Sequence, residues 1–433
     1  MSLPAYPHNA HVLDLLESAD LARELAAVGE PAEAAEAAWE QTACLVVRLE
    51  RVQRELRKAL EALAPEPQAP VRVYGGGAAL LLAGSRRSLQ RLASGLRTRG
   101  QAETGEEIAR CLQTERPVWR WGRRTLDFRG GALVMGIVNC TPDSFYPASR
   151  LPDSAAALEA ARAMIAAGAH ILDVGGESTR PGSDLVPADE ERRRVLPVIE
   201  AVRRESDVLL SIDTRKPEVA AAALDAGADL INDISALRDD RRCAAASPAA
   251  PAESPAPGVR SAPAESPAPP GSPAQGLGPG GMAGLAARRG APLVLMHTLG
   301  EPKTMQVEPH YTDVVSEVLA ELAAAVQFAS AAGVQRLIVD PGIGFGKRLA
   351  DNLCLLRNLG ALRSLGCPVM VGLSRKSFLG AVTGAPVEER LAATIAGNAL
   401  AVLGGADIVR VHDVPEAVQT VRLIQAVREA GCR

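Results

Sequence analysis

The sequence predicts a (β/α)8 barrel of the TIM-barrel class, preceded by a smaller, mostly helical or α+β N-terminal region. Three observations carry this. From about Leu126, strand-like apolar runs alternate with helix-like stretches, and eight such pairs fill the rest of the chain. Each run ends in polar residues, at the edge where barrels of this class carry their active sites. The glycine-rich first turn that a doubly wound sheet uses for a dinucleotide is missing from the first pair.

Within residues 10–64, Leu45, Leu49, Val52, Leu56 and Leu60 recur at spacings of three and four, which predicts helix, with a break near Gly29 and Pro31. Pro65 to Pro70 reads as a linker. VRVYGGG and then ALLLAGSRRSLQRLASGLR predict a small α/β patch continuing as helix to about Leu112. The AGSRR turn reads as a solvated basic helix face rather than an anion site. Residues 1–125 hold no cluster of catalytic residue types, so a structural or oligomerisation role is expected for them. Residues 126–433 are assigned to the barrel.

Barrel strands are predicted near 132–138, 169–174, 207–212, 228–232, 292–296, 336–340, 368–372 and 407–411. Helices are predicted at Ala155–Ala167, Pro217–Ala226, Val314–Ala332, Arg390–Leu403 and Val414–Ala430. The alternation breaks at about 243–283, where Pro, Ala, Ser and Gly dominate and the octapeptide APAESPAP occurs at 250–257 and again at 262–269. Such a composition buries too little apolar surface to offset the entropy of ordering, so a disordered insertion in the fourth helical segment is expected.

Composition narrows the function. The 433 residues are 47% hydrophobic, ample for a core, and the net charge of -4 gives no general drive toward nucleic acid or an anionic membrane. The seven cysteines are scattered and form no CxxC pair, which argues against a disulfide framework or a zinc site and for a reducing, cytoplasmic setting. No leader pattern and no uninterrupted membrane-length apolar run is found in the sequence, so no membrane association is expected.

The strand tips hold the candidate site. Strand by strand they offer Asn139, Asp173, Asp213, Asn232 with Asp233, Met296 with His297, Asp340 with Lys347, Ser374 with Arg375, Lys376 and Ser377, and Arg410 with His412 and Asp413. One strand-end aspartate is more often a helix cap or turn residue; eight tips in step are not explained that way. Asp173, Asp213, Asn232 and Asp340 are acceptors and amides suited to a flat, donor-rich heterocycle, and Ile234, Met296 and Phe345 offer it apolar faces. Arg180, Lys376, Arg410 and His412 suit a phosphate or pyrophosphate. Asn139 is a neutral oxygen ligand compatible with a phosphate-bound Mg2+. Ser377, opening a helix, suits a second anion such as a carboxylate.

The segments NCTPDSF, LDVGGESTRPG, SIDTRK, INDIS, DPGIGFGK, GLSRKSFLG and VRVHD, weak singly and specific together, resemble the dihydropteroate synthase family over about Leu126 to Arg433. The resemblance implies a transferase that joins a dihydropterin-CH2 pyrophosphate to p-aminobenzoate with Mg2+, and a sulfonamide target. It implies a pterin pocket at Asp173, Asp213, Asn232, Met296, Asp340, Phe345 and Lys376. Pyrophosphate and metal contacts are implied at Asn139, Arg180, Arg410 and His412, and p-aminobenzoate contacts at Thr141 to Phe145, Thr179 to Pro181 (Thr179, Arg180, Pro181), Lys376 and Ser377. Asp143 would stabilise a pterin cation, and homodimers are implied by analogy. Two departures stand out: Tyr146 to Arg150 replaces a usual Ser-Asp-Gly-Gly run, and Thr298-Leu299 follows His297 where Met-Gln is common. Two competing readings are a methyltetrahydrofolate:corrinoid methyltransferase-like enzyme and a catalytically silent pterin-binding scaffold. The first does not need TPDSF, STRPG or SRKS, and the second is expected to have lost anion residues that this chain keeps.

Overall fold

The computed structural model describes residues 11–13, 24–29, 45–49, 51–64, 71–75, 78–112, 116–140, 154–178, 185–246, 281–300 and 304–430. The N-terminal region is a four-stranded antiparallel sheet with helices on it. Its strands are β1 (His11–Leu13), β2 (Leu45–Leu49), β3 (Arg72–Tyr74) and β4 (Leu80–Gly84), in the order β1-β2-β4-β3. Helices α1 (Arg54–Leu63), α2 (Arg86–Thr98) and α3 (Ala102–Cys111) close a core of its own around Val47, Leu56, Leu60, Leu82, Leu92 and Ile108. Residues 45–49 form a strand, not the helix that the leucine spacing predicts. Val46 and Val47 are β-branched, and the segment pairs antiparallel with β4 from Leu45↔Gly84 to Leu49↔Leu80, buried on both faces. The three-and-four spacing arises because a short strand runs into α1 after Arg51, whose φ is +55°.

A hairpin of β5 (Val118–Trp121) and β6 (Arg124–Asp127) follows, so the boundary drawn at 125/126 falls inside it. Leu126 and Phe128 pack with Leu133, Ile171, Leu209 and Ile408 on the lowest inward layer of the barrel, and Trp119 meets Phe128 edge-on at 5.2 Å. The hairpin thus plugs the end of the barrel opposite the strand tips.

The barrel strands are β7 (Leu133–Asn139), β8 (Ile171–Gly175), β9 (Leu209–Asp213), β10 (Leu230–Asp233), β11 (Leu293–Met296), β12 (Leu337–Asp340), β13 (Met370–Gly372) and β14 (Ile408–Val411). All are parallel to their neighbours, from β12 back through β7 to β14 and β13. A parallel bridge between Val339 and Val369 brings the two ends together, which closes the ring. The helices between strands are α4 (Ser154–Ala166), α5 (Ala188–Glu205), α6 (Pro217–Asp225), α7 (Arg238–Ala246), α8 (Met282–Arg289), α9 (Val314–Ala331), α10 (Leu349–Arg357), α11 (Ser377–Thr383), α12 (Leu391–Leu403) and α13 (Val414–Glu429). By length and composition α9 could cross a membrane. Here it is a core helix that buries Val315, Val318, Leu322, Val326 and Ala329.

The fourth helical segment is divided. Helix α7 reaches Ala246 and α8 starts at Met282, so ordered helix covers both ends of the 243–283 interval; residues 247–280 lie outside the described ones. The two stems are joined by a cap. Asp240 on α7 accepts from the Met282 and Ala283 amides at 3.2 and 2.9 Å, which satisfies donors that every helix start leaves open. The N-terminal unit meets the barrel through β1 and α3 against the 3-10 segment Leu359–Leu365, with an Arg116–Asp407 ion pair at 2.6 Å nearby.

Candidate active site

Strand periodicity builds the site. Residues two apart on a strand share a face. The inward layer Ile171, Leu230, Val294, Ile338 and Ile408 is therefore followed, one step nearer the tips, by Asp173, Asn232, Met296, Asp340 and Arg410. Likewise Met370, Gly372 and Ser374 follow one another inward on β13 and its extension. These tips open into a cleft lined by Asp213, Asn232, Ile234, Met296, Asp340, Phe345, Ser374, Lys376, Arg410 and His412. Ile137, Met370 and Gly372 complete the lining; being apolar, they carry no chemical signal in the sequence, although the same alternation points to them.

Polar contacts on the floor are unequally satisfied. Arg410 Nε donates to Asp173 Oδ2 at 2.6 Å, and its Nη2 donates to Asp213 Oδ2 at 2.7 Å. Asn232 Nδ2 donates to the same Asp173 oxygen at 2.9 Å, which turns the Asn232 carbonyl oxygen away from Asp173. The second carboxylate oxygens, Asp173 Oδ1 and Asp213 Oδ1, and the single carbonyl oxygen of Asn232 are buried and have no partner. Buried acceptors without donors are costly, by about 1–3 kcal/mol each. Three of them together make a receptor for a molecule that brings N–H groups.

Burial pushes the Asp213 carboxyl up to about 7, against the pull of Arg410 and with the help of the Asp173 charge. Burial also raises Asp340, with Lys376 opposing; Asp340 Oδ1 accepts from the Gly342 amide at 2.7 Å. Lys376 is lowered to about 8 by burial, with Asp340 holding it up and Arg410 pressing it down. Its ammonium lies 4.6 Å from the centre of the Phe345 ring and donates to the Ile343 carbonyl. Ser374 Oγ accepts from the His412 backbone amide at 3.2 Å and lies 3.0 Å from His412 Nδ1, fixing the ring.

The remaining candidates divide clearly. Asp173 is fully buried just below the lining. Asn139 ends β7, half-buried, and Ser377 is exposed at the first residue of α11, beside the cleft rather than in it. Thr141, Asp143, Thr179, Arg180, Pro181 and the Tyr146–Arg150 departure lie outside the described residues. Five tip groups face elsewhere, Asp233 among them as the turn and cap reading anticipates. Asp233 accepts from the Ser235 and Leu237 amides, and Arg375, at φ +55°, pairs with Asp413 at 2.9 Å. His297 is buried behind the cleft against Lys347. A further cluster, unforeseen, has Lys216 donating to Glu177 and, at 2.5 Å, to the fully buried Glu191.

Residues 135–253 and 275–412 match a family model described as pterin binding enzyme. A dihydropteroate synthase of Synechocystis sp. is 39% identical over 319 residues, which cover 73% of this chain and 94% of that one. The chain belongs to the dihydropteroate synthase family. It is therefore a transferase of that family. The unmatched stretch 254–274 falls within the Pro/Ala-rich insertion. A probable bifunctional folylpolyglutamate synthase/dihydropteroate synthase of Haloferax volcanii is 45% identical over 310 residues, which cover 71% of this chain but only 32% of that relative. Among solved structures, the dihydropteroate synthase of Xanthomonas albilineans with 4-aminobenzoic acid matches with a TM-score of 0.58 and 40% identity, covering 71% of this chain and 97% of that one.

Proposed function

We propose that this dihydropteroate synthase family member condenses 6-hydroxymethyl-7,8-dihydropterin pyrophosphate with p-aminobenzoate. A C–N bond forms between the aniline nitrogen and the pterin methylene, the C–O bond to pyrophosphate breaks, and the aniline proton leaves to solvent. The observation that carries this is the set of three buried acceptors without partners, Asp173 Oδ1, Asp213 Oδ1 and Asn232 Oδ1, at neighbouring strand tips, with Asp213 and Asn232 lining the cleft and Asp173 just beneath it. A pterin presents N–H and amino donors on one edge, and Asp340 extends the acceptor row. Met296, Ile234 and Phe345 would sandwich the ring.

Lys376, Arg410 and His412 are assigned to the anionic leaving group, together with Arg180. Arg410 already serves Asp173 and Asp213 through Nε and Nη2, so its Nη1 is the atom proposed for the anion. Preorganised cations of this kind act where charge develops as the bond breaks. The 4-aminobenzoic acid in the Xanthomonas structure supports p-aminobenzoate as the second substrate. Its contacts are assigned to Thr141, Thr179, Pro181, Lys376 and Ser377, with Asp143 facing the transient pterin cation.

Among the described residues no cluster of three His, Cys, Asp or Glu side chains fits a resident metal. The single neutral oxygen of Asn139 fits a Mg2+ held mainly by pyrophosphate oxygens and water. Bound there, the ion would neutralise phosphate charge. Homodimer formation is supported by Leu400, Leu403, Leu423 and Val427, large apolar side chains exposed together on α12 and α13.

Pyrophosphate release tests the reading. Release that requires p-aminobenzoate, is abolished by a chelator and is restored by Mg2+ is expected. Tight pterin binding without release would instead mark a catalytically silent barrel.

A further inference from the structure

The loop after β12 is held by its carbonyls. Lys347 Nζ donates to Gly342 O and Phe345 O, both at 3.0 Å. Lys376 takes Ile343 O, Gln306 Nε2 takes Gly344 O at 2.8 Å, and the Tyr311 hydroxyl takes Gly346 O at 3.0 Å. Five successive carbonyls, Gly342 to Gly346, thus each accept from a side chain. Glycine at every second position allows this, because Gly342, Gly344 and Gly346 all have positive φ, at +63°, +88° and +61°.

Lys347 sits at the centre, 3% exposed. Its third partner is His297 Nδ1 at 2.9 Å. Burial lowers Lys347 to about 7, with Asp340 holding it up; three acceptors around one nitrogen favour the ammonium, whose three N–H donors they match, over a neutral amine that would leave one of them unserved. Burial and the neighbouring Lys347 charge keep His297 well below its ordinary range, so its ring nitrogen can accept. Lys347 does not line the cleft. Phe345, whose carbonyl it holds, does, with its ring beside Lys376.

We propose that Lys347 is a positioning residue for the heterocycle: by drawing Gly342, Phe345 and His297 onto one buried nitrogen, it fixes the Phe345 wall against Lys376. This rests on the pterin reading of the cleft. Lys347 acts only through Phe345 and the loop, so its removal should cost what loss of that wall costs, and no more.

The test is a double-mutant cycle on the full chain, Lys347→Met, Phe345→Ala and both, with dihydropterin pyrophosphate as the titrated probe. Lys347→Met should weaken pterin binding at least tenfold and leave the KM for p-aminobenzoate, at saturating pterin, within about threefold. The double variant should bind within about twofold of Phe345→Ala alone. Losses that multiply, or binding by Lys347→Met equal to the parent, would overturn the positioning role. No binding by the parent chain would overturn the pterin reading and this inference with it. If Lys347→Met does not fold by circular dichroism, Lys347→Gln carries the same expectation. Loss of fold in both would assign Lys347 to holding the barrel together and overturn the proposal.

Discussion

Asp213→Asn separates what the cleft does for binding from what it costs in stability. The carboxyl is raised from 3.8 to about 7, chiefly by burial. Below pH 3.8 it holds its proton in folded and unfolded chains alike. Between 3.8 and about 7 the folded chain keeps a proton that the unfolded chain has lost, so this group's contribution to stability falls as pH rises and levels off above 7. Asparagine removes the titration. At about 1.4 kcal/mol per pH unit, the stability of the variant relative to the parent should rise by roughly 3 kcal/mol between pH 5 and pH 8. Pterin binding should move the other way. Loss of a charge-assisted hydrogen bond is worth about 1.5–3 kcal/mol, or about ten- to a hundredfold in Kd. Urea unfolding across the pH range and calorimetric titration with dihydropterin pyrophosphate read the two effects. Unfolding curves that stay parallel with pH, or an unchanged Kd, would refute the reasoning.

Three further outcomes are expected. Lys376→Met should lower kcat by at least about a hundredfold, as for loss of preorganised charge, with the circular dichroism spectrum retained; steady-state kinetics decides it. Gly342→Ala should abolish pterin binding or soluble expression, because φ is +63° and the new Cβ would run into the His297 carbonyl; size-exclusion chromatography and titration show which. Deleting residues 248–279 should leave kcat/KM within about twofold, since Asp240 already joins the two helical stems, whereas Asp240→Ala should cost about 1 kcal/mol in urea unfolding as a lost cap.

The barrel was legible because its strands and helices follow different periods, and each strand run falls within two residues of the observed strand. The site was legible for a narrower reason. On β8, β10, β12 and β14 the polar residue stands two positions after a buried Ile or Leu, so Asp173, Asn232, Asp340 and Arg410 had to face the same space. What the pattern lacks is pairing. No sequence feature says that Arg410 lies across Asp173 and Asp213, or that Asp233, turned away from the cleft by the alternation, takes the Ser235 and Leu237 amides. His297 and Lys347 stood at strand tips and were read with the site, yet they bond to each other behind it. In the N-terminal unit, Leu45 and Leu49 fit a helical spacing, but pairing with β4 decides a five-residue segment that propensity alone leaves open. The hairpin before β7 went unread because its two strands, VWRW and RTLD, are only four residues each on either side of a turn, too short to show a period.

The most direct measurement of the central claim follows the bond that should form. Dihydropterin pyrophosphate labelled with 13C at the methylene is incubated with p-aminobenzoate labelled with 15N at the amine, and the product is read by NMR. A one-bond 13C–15N coupling that appears with the parent chain and is lost with Lys376→Met is the predicted result. Unreacted substrates, or a methylene bonded to oxygen from water, would contradict it.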